Sequence, residues 1–440
     1  MTITIALFTR DLRVRDNPML TAAVGEGAAV VPLFVVDEQI VAGRSSPNRA
    51  RFLAAALAEL DTELHAAGGR LVVRYGDVVD EVDRIVRDVH ADSVHVARDV
   101  SWYSRKREAA LRERLAARSC LLHAHPGSIT AVDPAELSPS SGRDHFAVFT
   151  PYYRRWLNTP LRRPLHAPRE LIVPTPVTGE PLPDYAARDR TGSPRLAVGG
   201  AITGRKLLTE WLSGAVLDYA NHSDDLASDA TSRLSPYLHF GCLSPTEVRT
   251  RTDLSSAGGQ AFARQLAWRD FHHQLLAARP DAGWHDYRSR RTAWREDPAA
   301  AAAWRGGRTG YPVVDAGLRQ LLEEGWMPGR ARLIAASFLT KTLGIDWRIG
   351  AEHFRDWLVD ADVANNQLNW QWVAGTGTDT RPNRVLNPLR QAERHDPDGE
   401  YVRRWIPELA HLPGAAVHRP WRAAVPADIY PAPLVEFPGM

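Results

Sequence analysis

Cysteine is nearly missing from this chain: Cys120 and Cys242 are the only two in 440 residues. That excludes a disulfide framework and leaves no thiolate spacing that would hold a metal, so no metal is assigned. Lysine is almost as scarce, confined to Lys106, Lys206 and Lys341, so nearly all of the 54 basic residues are arginine. A GC-rich coding bias explains this more simply than selection for phosphate-gripping forks. No apolar run approaches the roughly 20 residues of a membrane span, and Met1-Thr2-Ile3 lacks the basic start of a signal peptide. A cytoplasmic protein without membrane contact is expected. A G-x-G-x-x-G after the first apolar run is also missing, which removes the usual ground for placing a dinucleotide there. The formal net charge of +2 does not point to nucleic acid, so a binding face for it would have to come from local clustering.

What is present is a globular balance, 44% hydrophobic and 24% charged, in a chain long enough for two or three domains. Apolar runs at 2–7, 28–36, 71–75 and 93–97 alternate with helical stretches at 17–24, 49–67 and 78–89. Buried strands alternating with amphipathic helices predict an α/β domain over 1–125, a Rossmann-like parallel sheet with helices on both faces. From 126 to 195 prolines recur at 160, 164, 168, 174, 176, 181 and 183, beside S-P-S-S-G at 138–142. So few backbone donors predict a long interdomain linker. From 196 to 440 the pattern is helical, with stretches at 202–219, 260–278, 313–324, 330–343 and 351–359, and a capping box at Ser244-Pro245-Thr246-Glu247. An all-α domain is expected there.

Chemistry concentrates in residues 360–388, where Asp360, Asp362, Asn365, Asn366, Trp370 and Trp372 crowd into thirteen positions. Buried carboxylates and amides need partners, so this mixture suits a pocket wall, although a polar helix-loop junction packed by two tryptophans would read the same. Gly375-Thr376-Gly377 then breaks the helix, and Arg381 and Arg384 follow as cations for a phosphate-bearing partner. Upstream, Thr231-Ser232-Arg233-Leu234-Ser235-Pro236 sets hydroxyls before a helix start, either an anion site or a plain serine cap. Gln265 and Trp268 share one helix face, next to Arg269, with a core aromatic as the alternative for Trp268.

Taken together, D-x-D at 360–362, Asn366 four residues before Trp370, W-Q-W, T-G-T, R-V-L-N-P and T-S-x-L-S-P resemble the photolyase/cryptochrome family. The similarity runs from Arg10-Asp11-Leu12-Arg13 to about Leu409 and is closest to the bacterial class I-like deoxyribodipyrimidine photolyases. The resemblance implies FAD as cofactor. It gives the FAD contacts as Tyr219, Thr231, Ser232, Arg233, Leu234, Ser235, Arg269, Arg332, Asp360, Asp362 and Asn366, with Asn366 facing flavin N5. Arg332 would pair with Asp360, a pairing that could equally fix one helix against another. Trp370, Trp347 and Trp294 match a relay that carries an electron to the flavin. Gln265, Trp268, Gly329, Arg330, Trp372 and Arg384 fall on the DNA side, with Arg381 as a further candidate. Arg51 and Asp99 match contacts to a second, antenna chromophore, of 8-hydroxy-deazaflavin or methenyltetrahydrofolate type. The implied activity is light-dependent repair of UV-damaged DNA by a monomeric deoxyribodipyrimidine photo-lyase, a carbon-carbon lyase.

Four positions depart from the cyclobutane-dimer pattern. Gln265 stands where that pattern has glutamate, Gly329 where it has asparagine, Leu333 where it has methionine and Phe262 where it has tryptophan. Glutamine at 265 is the (6-4) choice, but those enzymes have histidines at the positions of Gly329 and Leu333. A cryptochrome-like blue-light receptor without repair activity, or a photolyase for a non-cyclobutane lesion, are therefore the alternatives.

Overall fold

The computed structural model describes residues 2–37, 46–140, 142–175, 177–184, 191–289 and 293–436. By internal contacts the chain forms two compact units: Met1–Thr191, Val198–Val216 and Ser232–Pro280 make the first, and Gly192–Ala197, Leu217–Thr231 and Asp281–Met440 the second.

In the first unit five strands, β1 (Ile3–Phe8), β2 (Ala29–Asp37), β3 (Val72–Gly76), β4 (Ser93–Ala97) and β5 (Leu121–His125), pair in parallel in the order β3-β2-β1-β4-β5. The inner strands are buried at nearly every position because helices cover both faces, so they lack the in-out alternation of a half-exposed sheet. The crossovers are α1 (Pro18–Glu26), α2 (Pro47–Ala66), α3 (Val78–Val89) and α4 (Trp102–Ala116). Local signals place their starts. Asn17 caps α1 by accepting from Leu20 N–H, and Asp77 caps α3 by accepting from the Val79 and Asp80 amides. Ile5, Leu33, Val82, Ile85, Val94 and Leu111 are among the side chains that close the core. Strand order reverses between β1 and β4, the point where this topology leaves a crevice at the strand carboxyl ends.

α4 and β5 are elements beyond those expected from the sequence pattern, and the 126–195 stretch is not wholly the irregular linker expected. That stretch contains a helix, Phe149–Asn158, whose Phe149, Tyr152 and Trp156 are buried. The same unit holds the 22-residue helix Ala257–Ala278, started by Ser256 accepting from Gly259 N–H.

The second unit is helical, with Pro298–Arg305, Pro312–Glu324, Gly329–Ser337, Trp347–Trp357, Val363–Ala374, Pro388–His395 and Glu400–Trp405 as its main elements. Proline opens three of these, where its missing N–H costs nothing. The expected continuous helix over 330–343 instead ends at Ser337 and passes into a π turn, Phe338–Thr342. Trp304, Phe338, Trp347, Trp370 and Tyr401 centre its core. Among the described residues, no helix is long and apolar enough to cross a membrane.

Candidate cofactor and DNA-binding site

In the second unit Arg332 forks onto Asp360, Nη1 to Oδ1 at 3.0 Å and Nη2 to Oδ2 at 2.8 Å, while its Nε donates to Met327 O. Asp360 is buried and the guanidinium half-buried, so each charge has a partner in a bidentate geometry. Asp362 caps the next helix: Oδ1 accepts from Asn365 N–H and Oδ2 from Asn365 Nδ2. Asn366 donates through Nδ2 to Ala351 O at 2.9 Å and to Gln367 Oε1 at 3.0 Å. Both amide hydrogens are thereby committed, and the carbonyl Oδ1 is what this side chain has left to offer a ligand, as an acceptor.

Trp370 and Trp347 are buried, 2% and 0% exposed, and Trp294 packs half-buried against the same core. Trp347 Nε1 donates to Asp286 at 2.9 Å. Trp370 meets Phe354 and Trp304 edge-on, at 4.9 and 5.9 Å between ring centres, and its buried Nε1 has no hydrogen-bond partner among the described residues. Trp372 is half-buried under the exposed Arg384, whose guanidinium stands 4.9 Å from the ring centre. Arg381 is exposed. Arg330 is tied to Asp224, so part of its charge is spent within the unit. Gly329 is exposed at the first position of its helix, and an added Cβ there meets no atom within 4 Å. Tyr219 is half-buried, its hydroxyl pushed up to about 12 by burial and by the charge of Asp224.

Thr231 closes one segment of the second unit and Ser232 opens one of the first. Thr231 Oγ1 is buried without a hydrogen-bond partner among the described residues. Arg233 takes a left-handed φ of 50°, and Ser232 Oγ accepts from Leu234 N–H at 3.4 Å. The helix that follows, Ser235–His239, is only five residues long, so its dipole adds little; hydroxyls and amides are what the loop can give an anion.

The first unit carries the remaining predicted residues. Gln265 is exposed on the Ala257–Ala278 helix. Trp268 lies one face against Phe149, ring centres 3.6 Å apart at 4°. Arg269 donates to Ile129 O and Leu238 O and lies 3.5 Å from Asp270, so it clamps its own unit whatever else it contacts. Phe262 is buried and packs on Trp211, and Leu333, in the second unit, packs half-buried against that unit's core. Asp99 sits just past β4, where the strand order reverses. Its carboxylate is paired with Arg10 at 3.2 Å, accepts from the Val100 and Ser101 amides and from Ser104 Oγ, and is buried. Burial alone would raise its pKa; Arg10, His273 and the two amides outweigh it and hold the group below the usual value. Arg51 is half-buried on α2.

Two family models match: DNA photolyase over residues 4–170, and the FAD binding domain of DNA photolyase over 262–439. A deoxyribodipyrimidine photo-lyase of Streptomyces griseus is 55% identical over 96% of this chain and 93% of its own length. The chain belongs to the DNA photolyase family. Among solved structures, a bacterial class III photolyase from Agrobacterium tumefaciens superposes with a TM-score of 0.90 at 34% identity, over 99% of this chain and 94% of that one. An archaeal photolyase from Sulfolobus tokodaii, solved with two FAD molecules, gives 0.87 at 32% identity over 99% and 96%.

The family's FAD-binding domain is thus present, and the residues fit the group. A buried, unbonded Thr231 hydroxyl is costly unless something accepts or donates there, and it lies in the run whose hydroxyls and amides suit phosphates. Two residues that organise these elements escaped the sequence reading. Asp270 is fully buried and accepts from the Ala131 and Val132 amides and from Trp156 Nε1. Gln371, also buried, donates to Ala282 O and His285 O and accepts from Tyr287 N–H, fixing the 282–287 segment to the tryptophan-bearing helix. Asp270 is one polar residue among Arg269, His272, His273 and Gln274, and Gln371 stands between two tryptophans, so nothing in sequence spacing singles either out or points to such distant partners.

Proposed function

We propose that this chain is a light-dependent deoxyribodipyrimidine photo-lyase that acts on a lesion flipped out of UV-damaged DNA. FAD, when bound in its reduced form, supplies the photoexcited electron that splits the dimer and takes it back afterwards, so the reaction is redox-neutral. The protein's part is to hold, orient and feed that group.

In this reading Tyr219 and the Thr231, Ser232, Arg233, Leu234 and Ser235 run hold the FAD phosphates. Asp360 and Asp362 hold its ring and ribose, with Arg332 steadying Asp360, and Arg269 is assigned to the same cofactor. The observation that carries the reading is Asn366: with both amide hydrogens donated to Ala351 O and Gln367 Oε1, it presents an acceptor oxygen, suited to the N–H of a reduced ring. Trp370, Trp347 and Trp294 pass in an electron when the cofactor is oxidised. Gln265, Trp268, Gly329 and Trp372 face the lesion and Arg330, Arg381 and Arg384 the DNA backbone, by stacking and by phosphate contact. Functionally the chain divides into an antenna-type domain at 1–125, a connector at 126–195 and the FAD- and DNA-binding part at 196–440. Arg51 and Asp99 belong to the antenna site, which takes a deazaflavin, a folate or, as the Sulfolobus structure's second FAD suggests, another flavin. A monomer working in the cytoplasm fits this role.

The test is to illuminate the reduced protein with oligonucleotides that carry either a cyclobutane dimer or a (6-4) photoproduct and to measure restored thymines. Recovery on either lesion is expected, and the arm that recovers fixes what Gln265 and Gly329 have been shaped for. Recovery on neither would replace the repair reading with a photoreceptor.

A further inference from the structure

Away from the flavin residues, one edge of the first unit's sheet gathers histidines. β4 and β5 pair in register, His95 opposite His123 and Ala97 opposite His125. Side chains two apart in a strand share a face, so Ser93, His95, His123 and His125 emerge together. Glu26, the last residue of α1, reaches the same face. Its Oε2 lies 3.3 Å from His95 Nε2 and 3.7 Å from His123 Nε2, and its Oε1 accepts from Ser93 Oγ at 2.6 Å. One donor atom from each of Glu26, His95 and His123 falls within 4.8 Å of the other two. Ligands of a tetrahedral ion bound at about 2.0 to 2.2 Å stand about 3.4 Å from each other, so small side-chain adjustments would close the set on one ion.

We propose that Glu26, His95 and His123 form a binding site for a divalent transition ion of the zinc type, which clips the edge strand β5 and its neighbour β4 to the end of α1. Three further features fit it. The far nitrogen of His95, Nδ1, shares a hydrogen bond with His125 Nε2 at 2.9 Å, and the two rings stack at 6°; a ligating imidazole is commonly oriented by such a bond. Two imidazoles and one carboxylate suit zinc and leave a fourth position for water. Glu26 and His123 are each 39% exposed while His95 is 2% exposed, so an ion can enter from solvent onto a fixed ligand. Two of the donors lie on different strands and the third on a helix, so only the β4–β5 register reveals a set that sequence spacing did not.

The test uses untagged, FAD-loaded protein, freed of metal by a chelator and titrated with zinc chloride in a calorimeter, with thermal unfolding followed with and without zinc. One saturable equivalent per chain and a zinc-dependent rise in the unfolding midpoint are expected. Because the chain has 16 histidines, variants locate the site. His123→Ala and Glu26→Gln, both at partly exposed positions, should each weaken binding by about a hundredfold or more and remove the rise, while His65→Ala on α2 changes neither. The flavin spectrum confirms that each variant is folded. Absence of saturable binding, or equal binding in the parent and both variants, would overturn the site.

Discussion

The charged partner of Asp270 is Arg269, at 3.5 Å, yet three donors converge on one of its oxygens. Burial pushes its pKa up to about 6 from the usual 3.8, against the pull of Arg269, Trp156 and the two amides. The folded protein then holds this proton at pH values where the unfolded chain has lost it. Stability from the group is therefore full below about pH 4, falls as pH rises toward 6, and is flat above. Asp270→Asn keeps an oxygen for the three donors and removes the titration, so its midpoint of thermal unfolding should decline less than the parent's between pH 4 and 6. Identical slopes would mean that Arg269 keeps Asp270 ionised throughout. Asn366 invites the opposite replacement. Asn366→Asp sets a carboxyl oxygen against Ala351 O and Gln367 Oε1, two acceptors, so the new group is held protonated or the contact is lost, at a cost of about 1 to 3 kcal/mol. Urea unfolding should show that loss, and repair should fall with a changed flavin spectrum during illumination; an unaltered spectrum would say that Asn366 does not face N5. The sequence made Asn366 a candidate by its company of acids and tryptophans. It could not show which of its atoms are already spoken for, because Ala351 is fifteen positions away on another helix.

At the scale of elements, Gly350 lets the Trp347–Trp357 and Val363–Ala374 helices meet. A Cβ at Gly350 would run into the Trp370 ring and come within 2.7 Å of Leu339 Cδ2. Gly350→Ala should destabilise by about 1 to 3 kcal/mol through overpacking and, by moving Trp370, slow photoreduction of the oxidised flavin. Trp347→Phe separates the two effects. It shrinks a fully buried side chain, so stability should fall by a similar amount, about 1 to 3 kcal/mol, with Asp286 keeping its bond to Arg348, while photoreduction is lost and not merely slowed. Unfolding midpoints and the rate of flavin bleaching under constant light decide both; unimpaired bleaching in Trp347→Phe would send the electron by another route, with Trp304 beside Trp370 the first ring to test. Elements with strong period and punctuation were legible from sequence: α3 and β4 fall where the pattern put them. The helix Phe149–Asn158 also carried its signal, since Phe149, Tyr152 and Trp156 recur at helical spacing, but the proline density around it outweighed three aromatics. The π turn at Phe338–Thr342 had no signal in sequence, because a helix that widens by one residue keeps an apolar pattern.

At the scale of the molecule, pattern reading finds elements in order but not which of them cluster. The Ala257–Ala278 helix reads as part of the helical half, yet it packs with the sheet unit because Arg269 and Asp270 bond to the 129–132 segment and Trp156. Charge behaves similarly: a net +2 draws DNA only weakly, so affinity must come from arginines at particular places. Arg384 is the sharpest case, exposed and set 4.9 Å over Trp372. If it serves as a phosphate contact, Arg384→Ala should weaken damaged and undamaged duplex alike and lower the slope of log affinity against log salt by about 0.9, the yield of one phosphate contact. Arg384→Lys should then restore most of both. If its main service is to hold the Trp372 ring for stacking, the salt slope stays nearly as it was. The preference for damaged over undamaged DNA falls instead, by up to the roughly 1 to 3 kcal/mol of one stacked base, and lysine restores less because it cannot lie flat on the ring. Titrations of the three proteins with both duplexes across a salt series separate the two outcomes, since the first moves the slope and leaves the ratio and the second does the reverse.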